Sequence, residues 1–143
     1  MQPNPFTRLE TLVGEDKVER LKNSSVMIVG IGGVGGSFCE SLARSAVGTI
    51  ILVDFDTVDI TNLNRQIIAT TKTIGRKKVD VMKERIIEIN PSCHVITYDL
   101  FLNTENFHTI DISKINFIID CCDSVPTKKM LLKEAIENNI EYI

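Results

Sequence analysis

The feature that most restricts this chain is a strand-like run that passes directly into glycines. Ser25 to Val29 reads Ser-Val-Met-Ile-Val, and Gly30-Ile31-Gly32-Gly33-Val34-Gly35-Gly36 follows without a gap. Behind the glycines, Phe38, Leu42 and Ala43 recur at helical spacing. This order predicts strand, tight turn, helix. Gly30, Gly32 and Gly35 satisfy G-x-G-x-x-G in the one context where that spacing carries chemistry, with the backbone able to approach phosphate groups at a positive helix end.

The rest of the chain repeats the alternation. Phe6, Leu9, Leu12 and Val13, then Val18 and Leu21, mark two short helices before the first strand, separated by Gly14. Thr49 to Val53 is almost wholly apolar, as a strand covered on both faces should be, and it ends at Asp54-Phe55-Asp56. After the polar stretch from Thr57 to Lys77, the residues Val79, Met82, Ile86 and Ile89 mark a helix face that Asn90-Pro91 terminates. His94 to Tyr98 and Phe117 to Ile119 read as a third and fourth strand, with a loop or short helix around Asn103 to Ile110 between them. Ser124 is placed to cap a last helix through Glu137. Strands alternating with helices at this spacing predict an α/β, doubly wound, Rossmann-like, mainly parallel sheet with right-handed crossovers. Ile140 to Ile143 starts a fifth strand at the end of the sequence. Residues 1 to 143 are therefore expected to be the N-terminal portion of one larger domain.

Charge and composition narrow the partners. Sixteen basic against nineteen acidic side chains leave a net charge of -3, so no global basic field is present to hold a polyanion. No apolar run approaches the roughly 18 to 20 residues that span a bilayer, and Met1 to Leu12 lacks the basic-then-apolar layout of a leader, which predicts a cytoplasmic protein with no membrane partner. Cys39, Cys93, Cys121 and Cys122 show neither disulfide-framework nor zinc-knuckle spacing and read as free thiols. His94 and His108 have no partner spacing.

The glycine loop and Asp54, which lies about 20 residues on and can accept from ribose hydroxyls, leave a dinucleotide site and an ATP site equally open. Charge separates them. A site that activates a carboxylate with ATP needs cations for three phosphates and an acid for Mg²⁺. Asn62-Leu63-Asn64-Arg65-Gln66 follows the second strand, Arg76-Lys77-Lys78 opens the next helix, and Asp120-Cys121-Cys122-Asp123 ends the fourth strand. All fall at or beside the carboxyl edge of the sheet, where open α/β sheets bind ligands. Each has a plainer explanation: Arg65 and Lys78 as solvated charges, Asp123 as a helix cap, Asp56 and Asn62 as turn formers. Their co-occurrence after one glycine loop favours the ligand site.

These residues resemble the ThiF/MoeB/E1-like adenylating family through nearly the whole chain, from Phe6 to Ile143. The resemblance is carried by Gly30-Ile-Gly-Gly-Val-Gly35, Asp54-Phe-Asp56, Thr61-Asn-Leu-Asn-Arg-Gln66, Gly75-Arg-Lys-Lys-Val79 and Asp120-Cys-Cys-Asp123, in family order. Phe6 to Gly14, Glu40 to Arg44 and Val81 to Pro91 look most like its tRNA threonylcarbamoyladenosine dehydratase branch. Gly36 and Ala46 depart from that branch, where Ser and Gly are common, and Ala46 is expected to alter a helix end.

The resemblance implies a set of roles. Gly30, Gly32, Gly33 and Gly35 would hold ATP, with Asp54 on the ribose and Asp56 beside it. Asn62, Asn64, Arg65 and Lys78 would grip the phosphates, Asp123 would bind Mg²⁺, and Arg8 would reach the partner's ATP across a homodimer interface. The implied reaction is ATP-dependent carboxylate adenylation, in this branch on a tRNA carrying threonylcarbamoyladenosine at position 37, closing a ring with loss of water. Within the family the alternative is activation of a sulfur-carrier or ubiquitin-like protein. Outside it stand an NAD-dependent oxidoreductase and a non-catalytic nucleotide-binding domain.

Overall fold

The structure, a computed structural model, describes residues 3–143; Met1 and Gln2, the start of the segment read for a leader, lie outside the described residues. Helices α1 (Thr7–Val13) and α2 (Glu15–Lys22) precede strand β1 (Ser25–Val29), as expected. There follow α3 (Gly33–Arg44), β2 (Thr49–Asp54), α4 (Lys78–Ile89), β3 (His94–Asp99), β4 (Phe117–Asp120), α5 (Val125–Glu137) and β5 (Glu141–Tyr142). Short 3₁₀ turns occupy Ile60–Asn62 and Phe107–Thr109. Among the described residues no helix is long and apolar enough to cross a membrane.

All five strands are parallel, in the order β3-β2-β1-β4-β5. The winding therefore goes outward from β1 through β2 to β3 and then restarts on the other side of β1 with β4. That reversal opens a crevice at the carboxyl ends of β1 and β4. Side chains of β1 alternate between two cores, as a period of two demands. Val26 and Ile28 pack with Leu52, Met82 and Ile86 under α3 and α4; Met27 and Val29 pack with Val53, Ile118 and Leu131 on the α5 side. Burying each such side chain is worth about 1.5–3 kcal/mol, which makes β1 the axis of both halves.

Local chemistry sets the element ends. Ser124 Oγ accepts from the Thr127 amide at 3.3 Å and caps α5, with Pro126 in its first turn. The carboxylate of Glu40 on α3 takes Arg85 of α4 at 2.6 Å and Arg44 at 2.9 Å. The Arg85 hydrogen bond in particular holds its pKa below the ordinary glutamate range. Ala46, expected to alter a helix end, follows α3 with φ of 65°, so the turn keeps the left-handed conformation that glycine favours while carrying a methyl group. The fifth strand is confined to Glu141–Tyr142; the residue two before it, Asn139, also sits at positive φ.

Two glycines near the crevice are irreplaceable. A Cβ on Gly35 would overlap the carbonyl oxygen of Gly30, and one on Gly30, whose φ is 92°, would lie 2.5 Å from the carbonyl oxygen of Cys121. Gly36, one residue further along α3, would meet only Ile67 at 3.5 Å. Urea denaturation should accordingly separate neighbours: Gly35→Ala loses at least about 2 kcal/mol through forced backbone displacement, whereas Gly36→Ala is neutral or gains up to about 1 kcal/mol from helix propensity.

Candidate functional site

The crevice is a cavity of about 520 Å³ lined by the ends of β1 and β2, the segments after β2, β3 and β4, and the first turns of α4 and α5. It brings together Gly30, Gly32, Asp54, Asp56, Asn62, Arg65, Lys78 and Asp123, eight of the residues expected from the sequence. Gly33, Gly35, Asn64 and Arg8 are not in its wall. Gly33 opens α3 and Gly35 gives the room that Gly30 needs. Asn64 holds Arg65 from outside, its Oδ1 accepting from Nη1 at 3.0 Å. Arg8 is exposed on α1.

Asp54 ties β2 to the glycine loop. Its Oδ2 accepts from the Ile31 amide at 2.6 Å and its Oδ1 from the Asp56 amide at 2.8 Å. One carboxylate thus fixes two stretches of loop backbone, and each oxygen keeps a lone pair for a further donor. Asn62 is both turn former and wall: its Oδ1 accepts from the Asp59 amide at 2.9 Å in a reciprocal cap with Asp59 while the residue lines the cavity. The hydrogen bonds from Thr61 hold Asp59 below the usual aspartate range.

The cations are placed differently. Lys78 is only 5% exposed, yet among the described residues its Nζ has one ionic partner, Asp56 Oδ2 at 3.5 Å, and that carboxylate is half in water. An ammonium so buried is costly to desolvate and weakly compensated, so an anion entering the cavity completes it. Arg65 is exposed; Nη1 donates to the Thr61 carbonyl at 3.0 Å and to Asn64, and its other donors have no protein partner among the described residues. The guanidinium is oriented at its base with a fork left for an anion.

Gln66 closes the Thr61 to Gln66 motif, and nothing in the sequence marks it for a role. The residue is buried in the cavity wall, and its Oε1 has no hydrogen-bond partner among the described residues. An orphaned buried carbonyl costs about 1–3 kcal/mol, which a donor arriving with a ligand or water recovers. The aromatic part of the wall was also missed. Phe55 and Phe101 meet edge to face with centroids 5.1 Å apart, both about half exposed, and Leu100 and Leu102 adjoin them. Only the tertiary structure brings the segment after β3 against the one after β2.

Asp123 does not cap α5, since Ser124 does; its carboxylate is exposed at the cavity wall with no partner among the described residues. Lining carboxylates (Asp54, Asp56, Asp123) outnumber lining cations (Arg65, Lys78) by three to two. A bare polyphosphate would be poorly received, and a divalent cation reverses the balance. No cluster of three or more candidate metal ligands exists among the described residues. One available hard oxygen donor beside an anion site suits Mg²⁺, which takes one or two carboxylates and completes its octahedron with phosphates and water.

Comparison with known proteins gives a consistent set of relatives. The ThiF family profile matches residues 6–143. The tRNA threonylcarbamoyladenosine dehydratase of Bacillus subtilis is 45% identical over 138 residues, covering 96% of this chain and 54% of that protein. A probable molybdopterin-synthase adenylyltransferase of Porphyra purpurea is 40% identical over 125 residues, covering 87% of this chain and 32% of that one. The crystal structure of the Escherichia coli tRNA N6-threonylcarbamoyladenosine dehydratase in complex with ATP superposes with a TM-score of 0.93 at 38% identity, covering 96% of this chain and 57% of that chain. The chain spans about half the length of the curated dehydratases it matches.

Two thiols line this cavity, and their environment keeps them protonated. Burial first, and then the Asp120 carboxylate that accepts from its Sγ at 3.0 Å, push Cys122 up to about 11; burial and Asp120 also raise Cys121. Because a raised pKa leaves almost no thiolate near neutrality, reaction with a disulfide reagent at pH 7.5 should be at least about tenfold slower than with free cysteine. The Cys122 rate should climb toward pH 11 without levelling near 9, as a stopped-flow pH series on single-cysteine variants would show.

Proposed function

This chain belongs to the ThiF family, and from that premise we propose that its cavity binds ATP with Mg²⁺ and adenylates a carboxylate. The observation that carries the reading is Lys78: a buried, under-compensated ammonium in one wall with the Arg65 fork, the bare glycine backbone and the partnerless Asp123. Phe55, Phe101 and the adjoining leucines form the apolar wall for the base. Asp54 lies within reach of both loops that would flank the ribose. Gly30, Gly32, Arg65, Gln66 and Lys78 supply the phosphate end. Asp123 would hold Mg²⁺, which would neutralise phosphate charge there. A nicotinamide dinucleotide would leave Lys78 and Asp123 without their counterparts, so the oxidoreductase reading is not favoured.

In this reading the carboxylate oxygen of the substrate attacks the α-phosphorus, the bond from that phosphorus to the α,β-bridging oxygen breaks, and pyrophosphate leaves. Lys78 and Arg65 stabilise the charge that accumulates on phosphoryl oxygens; the chain needs no covalent nucleophile. The likeness to the dehydratases favours threonylcarbamoyladenosine in tRNA as the carboxylate. Attack by its own carbamoyl group on the acyl-adenylate then closes a ring and releases AMP, which carries away the carboxylate oxygen. In the same proposal the chain is the ATP-binding part of a longer adenylation domain, acting in the cytoplasm as a homodimer in which Arg8, outside its own cavity, serves the partner's. Activation of a sulfur-carrier protein would differ in requiring a protein carboxyl terminus in place of tRNA.

Mass spectrometry of tRNA nucleosides, after incubation with ATP, Mg²⁺ and the full-length polypeptide, should show threonylcarbamoyladenosine converted with loss of one water. Absence of conversion rejects the tRNA assignment, and pyrophosphate exchange stimulated only by a carrier protein would replace it. Arg65→Ala and Lys78→Ala should each lower kcat at least about 100-fold, the cost of losing one donor to the developing charge, with unchanged circular dichroism.

A further inference from the structure

Asp120, at the end of β4, is not in the cavity wall, yet more converges on its carboxylate than on any other group near the site. The side chain is 2% exposed. Its Oδ1 accepts from the Cys122 amide at 3.1 Å, the Cys122 thiol at 3.0 Å and Lys128 Nζ of α5 at 3.0 Å; its Oδ2 accepts from the Tyr142 hydroxyl of β5 at 2.5 Å. Burial pushes its pKa up, but the hydrogen bonds from Cys122, Tyr142 and Lys128 outweigh that and hold it below the ordinary aspartate range. A carboxylate only accepts, so one group can satisfy all four donors; a carboxamide would turn an N–H toward one of them.

A buried ion pair contributes little net stability against an apolar replacement, so stability alone is a poor reason for a charge here. Its geometric effect is specific. The bond from the Cys122 amide closes the turn that reverses the chain after β4, and that turn sets the Cys121 carbonyl against Gly30. Three residues after Asp120, Asp123 projects without a partner, and Ser124 at once begins the cap of α5.

We propose that Asp120 is a positioning residue for metal binding: it fixes the turn so that the Asp123 carboxylate meets a divalent cation in the cavity, with Lys128 and Tyr142 bracing it from α5 and β5. The proposal rests on the nucleotide-metal reading of the cavity. Groups that orient a metal ligand are typically worth about 10- to 100-fold in metal affinity.

The test is Mn²⁺ binding, followed by electron paramagnetic resonance, to the full chain with a non-hydrolysable ATP analogue, alongside analogue affinity without metal and thermal unfolding. Asp123→Asn and Asp120→Asn should both weaken Mn²⁺ binding about tenfold or more, while metal-free analogue affinity falls by no more than about twofold and, for Asp123→Asn, rises if it changes. Tyr142→Phe, which removes one brace, should weaken Mn²⁺ about two- to fivefold by the same scale and carries the test should Asp120→Asn unfold. Wild-type Mn²⁺ affinity in folded Asp120→Asn, or in Tyr142→Phe if that variant alone folds, overturns the proposal. So does equal loss of metal and metal-free nucleotide, which marks a merely structural role. Wild-type protein that retains the analogue and no Mn²⁺ overturns the metal reading and this proposal with it.

Discussion

The approach of bare backbone to bare backbone at the end of β1 is the constraint on which the site depends. Gly30 lies against the Cys121–Cys122 peptide, and Gly35 in α3 lies against Gly30. No side chain fits at either place, so β1, the helix behind it and the turn after β4 come as close as peptide groups allow. That proximity puts the start of α3 and the Asp123 turn on opposite lips of one crevice. The reversal of strand order between β1 and β4 leaves it uncovered by a crossover helix. A methyl group at Gly30 would move these lips apart and separate the residues that share the cavity.

Charge in the crevice is arranged by depth. Lys78 is buried and held near Asp56, while Arg65 and Asp123 are exposed and keep donors or acceptors unused. The buried group supplies a fixed field in a region of low dielectric, where its influence is strongest. The exposed ones can follow a ligand in. Thiols beside them stay neutral through burial and the neighbouring acid, so Cys121 and Cys122 contribute shape and hydrogen bonds and no reactive thiolate.

The fold was legible because its signals are local: the apolar run of β1 passing into glycines, the unbroken apolar run of β2, the face made by Val79, Met82 and Ile86, and the Ser124 cap all act within a few residues. The glycine motif was legible as a turn, although two of its glycines serve packing and two line the cavity. Gln66 and Asp120 were not, since nothing beside them in sequence marks one as orphaned and the other as saturated; their partners, or the lack of them, come from distant segments. Phe55 and Phe101 escaped for the same reason, 46 positions apart in sequence and in contact in space. Asn64 and Arg8 could be matched to a motif, but which way each faces is decided by the loop after β2 and by α1.

The double grip of Asp54 on Ile31 and Asp56 has an entropic consequence. Both loops that would flank a nucleotide are immobilised when the chain folds, so a newcomer meets a preorganised cradle and loses no affinity to ordering it. The remaining ordering cost falls on Arg65, a long exposed arm tethered through one nitrogen, at about 0.5–1.5 kcal/mol for such a side chain. Discrimination between ligands that fill the cradle equally well therefore rests with how fully each can arrest that arm.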